Sequence, residues 1–267
     1  MNVDIEKAYD TIVSGVAKFF KEQGFDKAVI GLSGGIDSAV TSALVAAALG
    51  SDNVIGVAMP SHFSSDDSYT DAKLLADNLG IDFRYIPINK LHQAMLKNLN
   101  DNGIKDIENT VVDENIQARL RMVTLMAICN KYHALLMDTG NSTEYYLGYC
   151  TLYGDQAGSL SPIVGINKMD VYEMGRHINK ISGKEIIPKQ IFKKRPTAEL
   201  REGQSDPFDY NTFAPMVDEI VMEGGVTAEM KTRYDEDDLE RARSLIEKSL
   251  FKRNQSPPGI TLEKEIT

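Results

Sequence analysis

The clearest chemical signal in the sequence is a run of small and polar residues between two apolar stretches. The run reads Gly31, Leu32, Ser33, Gly34, Gly35, Ile36, Asp37 and Ser38. Glycines let a backbone approach a ligand closely, and the free N–H groups at a helix start attract phosphate. Ser33 and Ser38 add hydroxyl donors. A carboxylate in a phosphate cradle is unfavourable unless a cation lies between them, so Asp37 predicts Mg²⁺. The alternative is a glycine-rich turn with a capping serine.

Short apolar runs alternate with segments of helical periodicity on either side of this loop. We predict strands at Ala28–Leu32, Val54–Met59, Asp82–Ile88 and Ala134–Met137. Helices are predicted from Ile5 to Phe20 and at Ile36–Leu49, Asp67–Leu79, Leu91–Asn98, Glu114–Tyr132, Thr143–Leu147, Lys168–Ile178, Phe213–Met222 and Asp237–Phe251. This alternation predicts an α/β fold with a parallel sheet and helices on both faces. We expect one domain over residues 1–267, an irregular tail from about 254, and a mobile loop at Thr197–Asn211.

Composition excludes several classes of protein. The 267 residues carry 29 Lys and Arg against 39 Asp and Glu, a formal net charge of −10. A general nucleic-acid binder needs a positive surface, so we expect no nucleic-acid partner. Two cysteines cannot build a disulfide framework, and the longest apolar run, Ala43–Leu49, is too short for a membrane helix. The start of the chain is polar, unlike a signal peptide. We therefore expect a cytoplasmic protein without membrane contact.

The Ser33–Ser38 string resembles the pyrophosphate loop of the N-type ATP pyrophosphatases. Three further stretches resemble the NAD⁺ synthetase family within that group: Asn115–Met122, Thr139–Glu144 followed by Thr151–Asp155, and Pro196–Leu200. The resemblance implies an adenine nucleotide alpha-hydrolase-like, Rossmann-like fold. It also implies ammonia-dependent amidation of deamido-NAD⁺ to NAD⁺ through an acyl-adenylate, with ATP converted to AMP and pyrophosphate. A homodimer that binds the dinucleotide near the subunit interface is the expected assembly.

The resemblance also implies roles for individual residues. Asp37 and Glu144 would bind Mg²⁺, and Asp37 and Lys168 would be catalytic. ATP would contact Gly31–Ser38, Thr139, Lys168 and Thr197, and deamido-NAD⁺ would contact Arg119, Leu152, Ser159, Phe251 and Lys252. Considered alone, the threonines could be helix caps and Glu144 a first-turn acid. A cation such as Lys168 opposes the dipole at a helix start, which favours a role in binding phosphate.

Departures from the family pattern concern the nitrogen donor. The ammonia-using members have a lysine, an acid and a histidine where this chain has Leu152, Ser159 and Phe251. The stretches Leu147–Asp155 and Ser256–Gly259 look more like the synthetase portion of glutamine-dependent members, yet we expect no room for an amidase domain before the synthetase begins. We therefore expect ammonia as donor, with a separate glutamine amidase as the alternative.

Two other functions remain open. Another N-type pyrophosphatase could amidate or thiolate a different substrate, although the negative charge opposes RNA. A non-catalytic nucleotide sensor would not need both Asp37 and Glu144.

Overall fold

The centre of the molecule is a four-stranded parallel sheet. The computed structural model describes residues 3–262. The strands are β1 (Lys27–Gly31), β2 (Val54–Ala58), β3 (Asp82–Tyr85) and β4 (Ala134–Met137), in the spatial order β3-β2-β1-β4. β1 is central, and its Ile30 pairs with Gly56 of β2 and Met137 of β4. The predicted parallel α/β sheet is therefore confirmed.

Helices connect the strands and form the C-terminal part of the chain. They are α1 (Ile5–Gln23), α2 (Ile36–Leu49), α3 (Asp66–Leu79), α4 (Asn89–Asp101), α5 (Val111–Tyr132), α6 (Ser142–Leu147), α7 (Lys168–Ser182), α8 (Lys189–Lys193), α9 (Tyr210–Glu223), α10 (Met230–Arg233), α11 (Glu236–Lys248) and α12 (Leu250–Arg253). The sequence pattern missed the short helices α8 and α10. Within residues 3–262, no helix is long and apolar enough to cross a membrane.

Two predicted elements end three residues earlier in the structure, a larger difference than the one residue by which β1 and β2 end early. β3 ends at Tyr85 instead of Ile88, because Pro87 has no N–H to donate to a ladder. The predicted helix over Asp237–Phe251 is interrupted at Ser249, whose hydroxyl donates to the carbonyls of Tyr146 and Ile246. A hydroxyl that bonds nearby carbonyls competes with the helical pattern, which periodicity alone does not reveal.

Successive residues of β1 point to opposite faces of the sheet, as strand geometry requires. Ile30 belongs to an apolar cluster with residues of α1, α2 and α7, whereas Val29 packs with residues of α5. Helices therefore cover both faces, as predicted. A third cluster joins α6, α9 and α11 through residues such as Phe213, Val217 and Leu239. The assignment of the whole chain to one domain remains a prediction.

The strand order creates the position of the candidate site. The chain moves from β1 outward to β2 and β3, and then crosses to β4 on the other side of β1. Ligands of open α/β sheets bind at such a switch point, beyond the carboxyl ends of the strands. Segments that follow β1 and β4 meet there, so Asp37 and Thr139 are brought to the same end of the sheet.

The packing of α2 against the sheet and α1 identifies a buried position where a smaller side chain should destabilise the fold. Leu44 is fully buried in the cluster beneath β1. We expect Leu44→Ala to lower the free energy of unfolding by about 2–5 kcal/mol, because it removes apolar contacts and leaves a cavity. Urea unfolding measures this. Leu91→Ala, at a position that is 50% exposed, is the control and should change the value by about 0.5 kcal/mol or less. Equal losses would contradict the assigned core.

Candidate active site

The loop between β1 and α2 is shaped by its own hydroxyls. Ser33 Oγ lies 3.1 Å from Ser38 Oγ and accepts the Gly35 N–H at 3.2 Å. Ser38 Oγ also accepts the Ser33 N–H and donates to the Gly35 carbonyl at 3.1 Å. Gly35 is the N-cap of α2 and supplies no side-chain cap, so the first N–H groups of the helix stay open to a ligand.

Gly34 is required by both its conformation and its surroundings. Its φ is +75°, and a Cβ placed there would lie 2.4 Å from the Ser68 carbonyl oxygen. A side chain would therefore force the loop away from the start of α3. The loop and the N-terminus of α3 are held in contact for that reason.

Three charged side chains from three helices meet beside this loop. Lys168 Nζ lies 2.5 Å from Asp37 Oδ2 and 3.0 Å from Glu144 Oε1. Asn141 Nδ2 donates to the other oxygen of Asp37 at 2.9 Å. The Lys168 side chain is only 4% exposed, whereas both carboxylates are 18% exposed. The ammonium is thus enclosed, and the acids keep one side open to the pocket.

Helix starts position these groups. Asn141 caps α6 by accepting the Glu144 N–H, and Asn167 caps α7 by accepting from Met169 and Asp170. Lys168 is the first residue of α7, and its own N–H donates to Thr143 Oγ1. The unfavourable effect of a cation at a helix start is offset by two carboxylates within 3.0 Å. The local misfit noticed in the sequence therefore marks an ion pair.

Burial and neighbouring charges both shift the pKa values of Glu144 and Lys168. Burial raises the pKa of Glu144 above its ordinary range, and the neighbouring Lys168 opposes that shift. Burial lowers the pKa of Lys168, but Asp37 and Glu144 more than reverse this and leave the net shift upward. The lysine therefore stays an ammonium at neutral pH.

A pocket of about 540 Å³ opens at this end of the sheet. The predicted residues that line it are Gly31, Leu32, Ser33, Gly35, Ile36, Asp37, Ser38, Thr139, Glu144, Lys168, Thr197 and Lys252. Arg119, Leu152, Ser159 and Phe251 are not among its lining residues. The pocket thus brings together the predicted nucleotide side and separates it from most of the predicted dinucleotide contacts.

Comparison with known proteins assigns this architecture to a family. The family model described as NAD synthase matches residues 8–256. The chain belongs to the NAD synthase family. It is 40% identical over 263 residues to the glutamine-dependent NAD⁺ synthetase of Thermotoga maritima, covering 96% of this chain and 45% of that protein. The ammonia-dependent NAD⁺ synthetase of Fusobacterium nucleatum is 34% identical, with coverage of 83% and 81%.

Solved structures have the same fold. An NMN synthetase from Francisella tularensis matches with a TM-score of 0.79 and 27% identity over 99% of both chains. An NH₃-dependent NAD synthetase from Campylobacter jejuni matches with a TM-score of 0.77 and 23% identity over the full length of both chains, which bears on fold alone. The chain spans less than half the length of the Thermotoga relative.

The dinucleotide residues expected from the NAD synthase family have other contacts in the structure. Arg119 is exposed and its Nε donates to the Leu152 carbonyl at 3.2 Å. Phe251 is 56% exposed on α12. Lys252 Nζ donates to the carbonyls of Gly148 and Cys150 at 2.8 and 2.6 Å, so it holds that loop in place. Ser159 borders a separate small pocket. Their roles toward a dinucleotide remain predictions.

The donor set at the open side of the ion cluster fits Mg²⁺ in this NAD synthase family member. Two carboxylates, Asp37 and Glu144, border the pocket beside the phosphate loop, and hard oxygen ligands together with substrate phosphates are what Mg²⁺ prefers. Residues 3–262 contain no cluster of three or more His, Cys, Asp or Glu that could hold a metal without a substrate.

The segment predicted as a mobile loop is tied to the helices around the pocket. Glu199, with a φ of +49°, accepts from Ser65 N, Ser65 Oγ, Ser68 Oγ and Lys194 Nζ at 2.7–3.3 Å. Gln117 of α5 donates to the Leu200 carbonyl at 2.9 Å. We call residues 194–206 the strap. It places Thr197 and Ala198 at the pocket. The loop was predicted to extend to Asn211, but in the structure it ends at Asp209, which caps α9.

Several residues of the site were given no role on the basis of the sequence. Asn141 lay within a recognised motif but had no assigned role, and it orients Asp37. Glu199 also lay within a motif, and its serine partners are more than 130 residues away. Tyr210 places its ring 5.0 Å from Lys168 Nζ and had no local signal at all. Only the tertiary contacts reveal these roles.

The Glu199 contacts predict how firmly the strap is held. Burial raises the pKa of Glu199, but Ser68, Lys194 and Ser65 together bring it below its ordinary value, so the group is a carboxylate at neutral pH. We expect Glu199→Gln to speed proteolytic cleavage within Thr197–Asn211 about fivefold, because a charged hydrogen bond of at least ~1 kcal/mol is lost. Limited proteolysis with mass spectrometry measures this. The control is Glu202→Gln, which changes an exposed residue of the same strap and should be cleaved at the wild-type rate. Equal cleavage rates for the two variants would contradict the role of Glu199 in holding the strap.

Proposed function

We propose that the chain catalyses the ATP-dependent amidation of deamido-NAD⁺ to NAD⁺. The observation that carries this proposal is membership of the NAD synthase family over residues 8–256, combined with a phosphate loop that opens into the same pocket as Asp37, Lys168 and Glu144. A nucleotide sensor would not need an enclosed ammonium between two carboxylates. A general nucleotide-binding loop would not need the family's other three motifs.

The chemistry begins with activation of a carboxylate. A carboxylate oxygen of the nicotinate ring attacks the α-phosphorus of ATP, and the bond from that phosphorus to the bridging oxygen breaks. Pyrophosphate leaves, and the substrate becomes an acyl-adenylate. A free carboxylate cannot lose oxide, so adenylation supplies the leaving group that amide formation requires.

The chain's own groups bind and orient the reactants. The open N–H groups at the start of α2 would bind the departing pyrophosphate, and Lys168 would balance the charge that develops there. The strap would exclude water while the acyl-adenylate exists. Ammonia then attacks the carbonyl carbon, the carbon–oxygen bond to AMP breaks, and the nitrogen loses a proton. These groups contribute by positioning and by charge, without a covalent enzyme intermediate.

Magnesium fits this scheme as a charge-neutralising ion. Asp37 and Glu144 would hold it beside the nucleotide phosphates. When bound, Mg²⁺ neutralises phosphate oxygens and favours pyrophosphate as a leaving group.

The nitrogen donor that we propose for this chain is ammonia. Hydrolysis of glutamine requires an activated nucleophile, usually a cysteine thiolate. Burial raises the pKa of Cys129 to about 11 and that of Cys150 to about 12, so both remain thiols at neutral pH. A separate glutamine amidase that delivers ammonia to this chain is the alternative, since several relatives are named glutamine-dependent synthetases.

We also propose that the chain acts as a homodimer. α5 exposes Val111, Val123 and Met126, which supports an apolar contact with a second copy. The mass of the chain in solution, measured by light scattering, tests this.

A second candidate substrate is nicotinate mononucleotide. Most residues expected to contact deamido-NAD⁺ lie outside the pocket lining, and one structural relative is named an NMN synthetase. The mononucleotide presents the same carboxylate without the adenylyl half.

The reaction assay tests substrate and donor together. We expect the purified chain, with ATP, Mg²⁺ and ammonium, to form NAD⁺ and equimolar pyrophosphate from deamido-NAD⁺. Ammonia-free glutamine as sole donor should give no product, because neither thiol is activated. Replacing deamido-NAD⁺ by nicotinate mononucleotide tests the second candidate. If neither deamido-NAD⁺ nor nicotinate mononucleotide supports pyrophosphate release, the amidation proposal is disproved. Equal rates of product formation from ammonium and glutamine would reveal an amidase site.

The role of Asp37 gives a sharper test. We expect Asp37→Asn to fold but to lose about 10²–10³ in kcat, because an amide keeps the shape and loses the charge that would hold Mg²⁺. Asp77→Asn is the matched control, since that exposed carboxylate pairs with Lys73 on α3, away from the pocket lining. Turnover of Asp37→Asn within a few-fold of wild type at saturating Mg²⁺ would exclude the metal role.

A further inference from the structure

Arg121 is a charged residue of the pocket to which no role has been assigned. It lies on α5, two residues after Arg119, and therefore points to a different side of the helix. Its Nε donates to the Met59 carbonyl at 3.0 Å, just beyond the end of β2. The part of its side chain that is not covered by protein faces the pocket. The two arginines of one motif thus have opposite environments: Arg119 is exposed, and Arg121 is enclosed.

The guanidinium of Arg121 lacks an anionic partner. Within residues 3–262, no carboxylate lies within ion-pair distance of it, and its two terminal nitrogens donate no hydrogen bond. Two lysines of the pocket differ in this respect, since Lys168 contacts Asp37 and Glu144, and Lys194 contacts Glu199. Lys252 also lines the pocket without a carboxylate partner among the described residues, but its ammonium donates to the carbonyls of Gly148 and Cys150. The terminal nitrogens of Arg121, in contrast, are left for a ligand.

An enclosed charge without a partner is costly, and that cost favours binding of an anion. Burial lowers the pKa of Arg121 to about 10, against the weaker opposing influence of Glu199 and Asp155 at longer range. The group therefore stays charged at neutral pH. A ligand oxyanion would regain the interaction energy that the protein itself does not supply. Met59 holds Nε, and the two terminal nitrogens form a planar fork that matches two oxygens of a phosphate or carboxylate.

A purely structural role explains less of this geometry. One bond to the Met59 carbonyl braces α5 against β2, but it uses one of five guanidinium donors. A neutral side chain could fill the same space without enclosing a charge. The position beside a pocket that would take two acidic substrates accounts for the remaining donors.

We propose that Arg121 binds an oxyanion of the substrates through its terminal nitrogens. The shared chemistry is a two-oxygen acidic group, which could come from the α-phosphate of ATP or from the nicotinate carboxylate. The identity of these two sources rests on the proposed function. The binding site itself does not, because an unpaired guanidinium in the pocket would attract such a group whatever the reaction.

Calorimetric titrations separate the sources without turnover. The variants are Arg121→Met, which removes the charge, and Arg121→Lys, which keeps the charge and loses the fork. Each is titrated with ATP, adenosine, deamido-NAD⁺ and NAD⁺, the last pair differing in the carboxylate. The matched control is Arg243→Met, whose exposed guanidinium pairs with Glu240 and Glu247 on α11.

We expect Arg121→Met to lower the affinity for ATP or for deamido-NAD⁺ about tenfold or more, which is the scale of a lost charge-assisted hydrogen bond. Weaker binding of ATP with unchanged binding of adenosine identifies the phosphate as the group that Arg121 binds. Weaker binding of deamido-NAD⁺ with unchanged binding of NAD⁺ identifies the carboxylate. Unchanged affinity for both ATP and deamido-NAD⁺ overturns the proposal. An equal loss of affinity for each of them and for its counterpart that lacks the acidic group also overturns it. Arg243→Met should bind like wild type.

The second variant keeps the test decisive if Arg121→Met does not fold. Arg121→Lys should then show the same selective loss, at least a few-fold, because a single ammonium cannot reproduce the planar fork. Wild-type affinity in that variant overturns the proposal. Failure to form NAD⁺ while these selective losses persist would reject the proposed function and leave the anion site intact.

Discussion

The enclosed ammonium of Lys168 is the interaction on which the site depends. It joins Asp37 at the start of α2, Glu144 in α6 and its own helix α7, so three separate segments of the chain are fixed relative to one another. Removing one partner of such a group leaves an uncompensated buried charge, at a cost of about 3–5 kcal/mol. Three elements that share no sequence neighbourhood thus acquire one geometry.

The charges within the cluster nearly balance, and this bears on how the pocket would bind the acidic nucleotide that we propose. One ammonium lies between two carboxylates, so the three groups together carry one negative charge at neutral pH when both acids are ionised. Burial favours the neutral form of Glu144, which reduces that charge further. The open N–H groups of α2 add positive potential beside it. A divalent cation and the nucleotide phosphates would then complete the balance.

The strap and the phosphate loop are coupled through the start of α3. Gly34 is in contact with the Ser68 backbone, and the Ser68 hydroxyl donates to Glu199 of the strap. A different position of the strap would therefore alter the surroundings of the phosphate loop. Apolar residues of α3 such as Leu75 pack in the main core cluster, so the start of α3 is a support that the loop and the strap share.

Part of the fold and of the site could be predicted from local features of the sequence. The strand–loop–helix at Gly31–Ser38, the alternation of strands and helices, and the family motifs followed from period, glycine position and residue type. β4 and α2 have the predicted bounds, because apolar runs and a terminal glycine mark them locally. The misfit of Lys168 at a helix start also indicated a site.

Only the tertiary structure decided which partners these residues have. The sequence placed Arg119 at the substrate and left Arg121 without a role, yet the structure exposes the first and encloses the second. Glu199 is clamped by serines more than 130 residues away, so no local pattern could reveal it. Charges and hydrogen bonds act between groups that the topology of the sheet brings together, and one-dimensional spacing does not encode which groups those are.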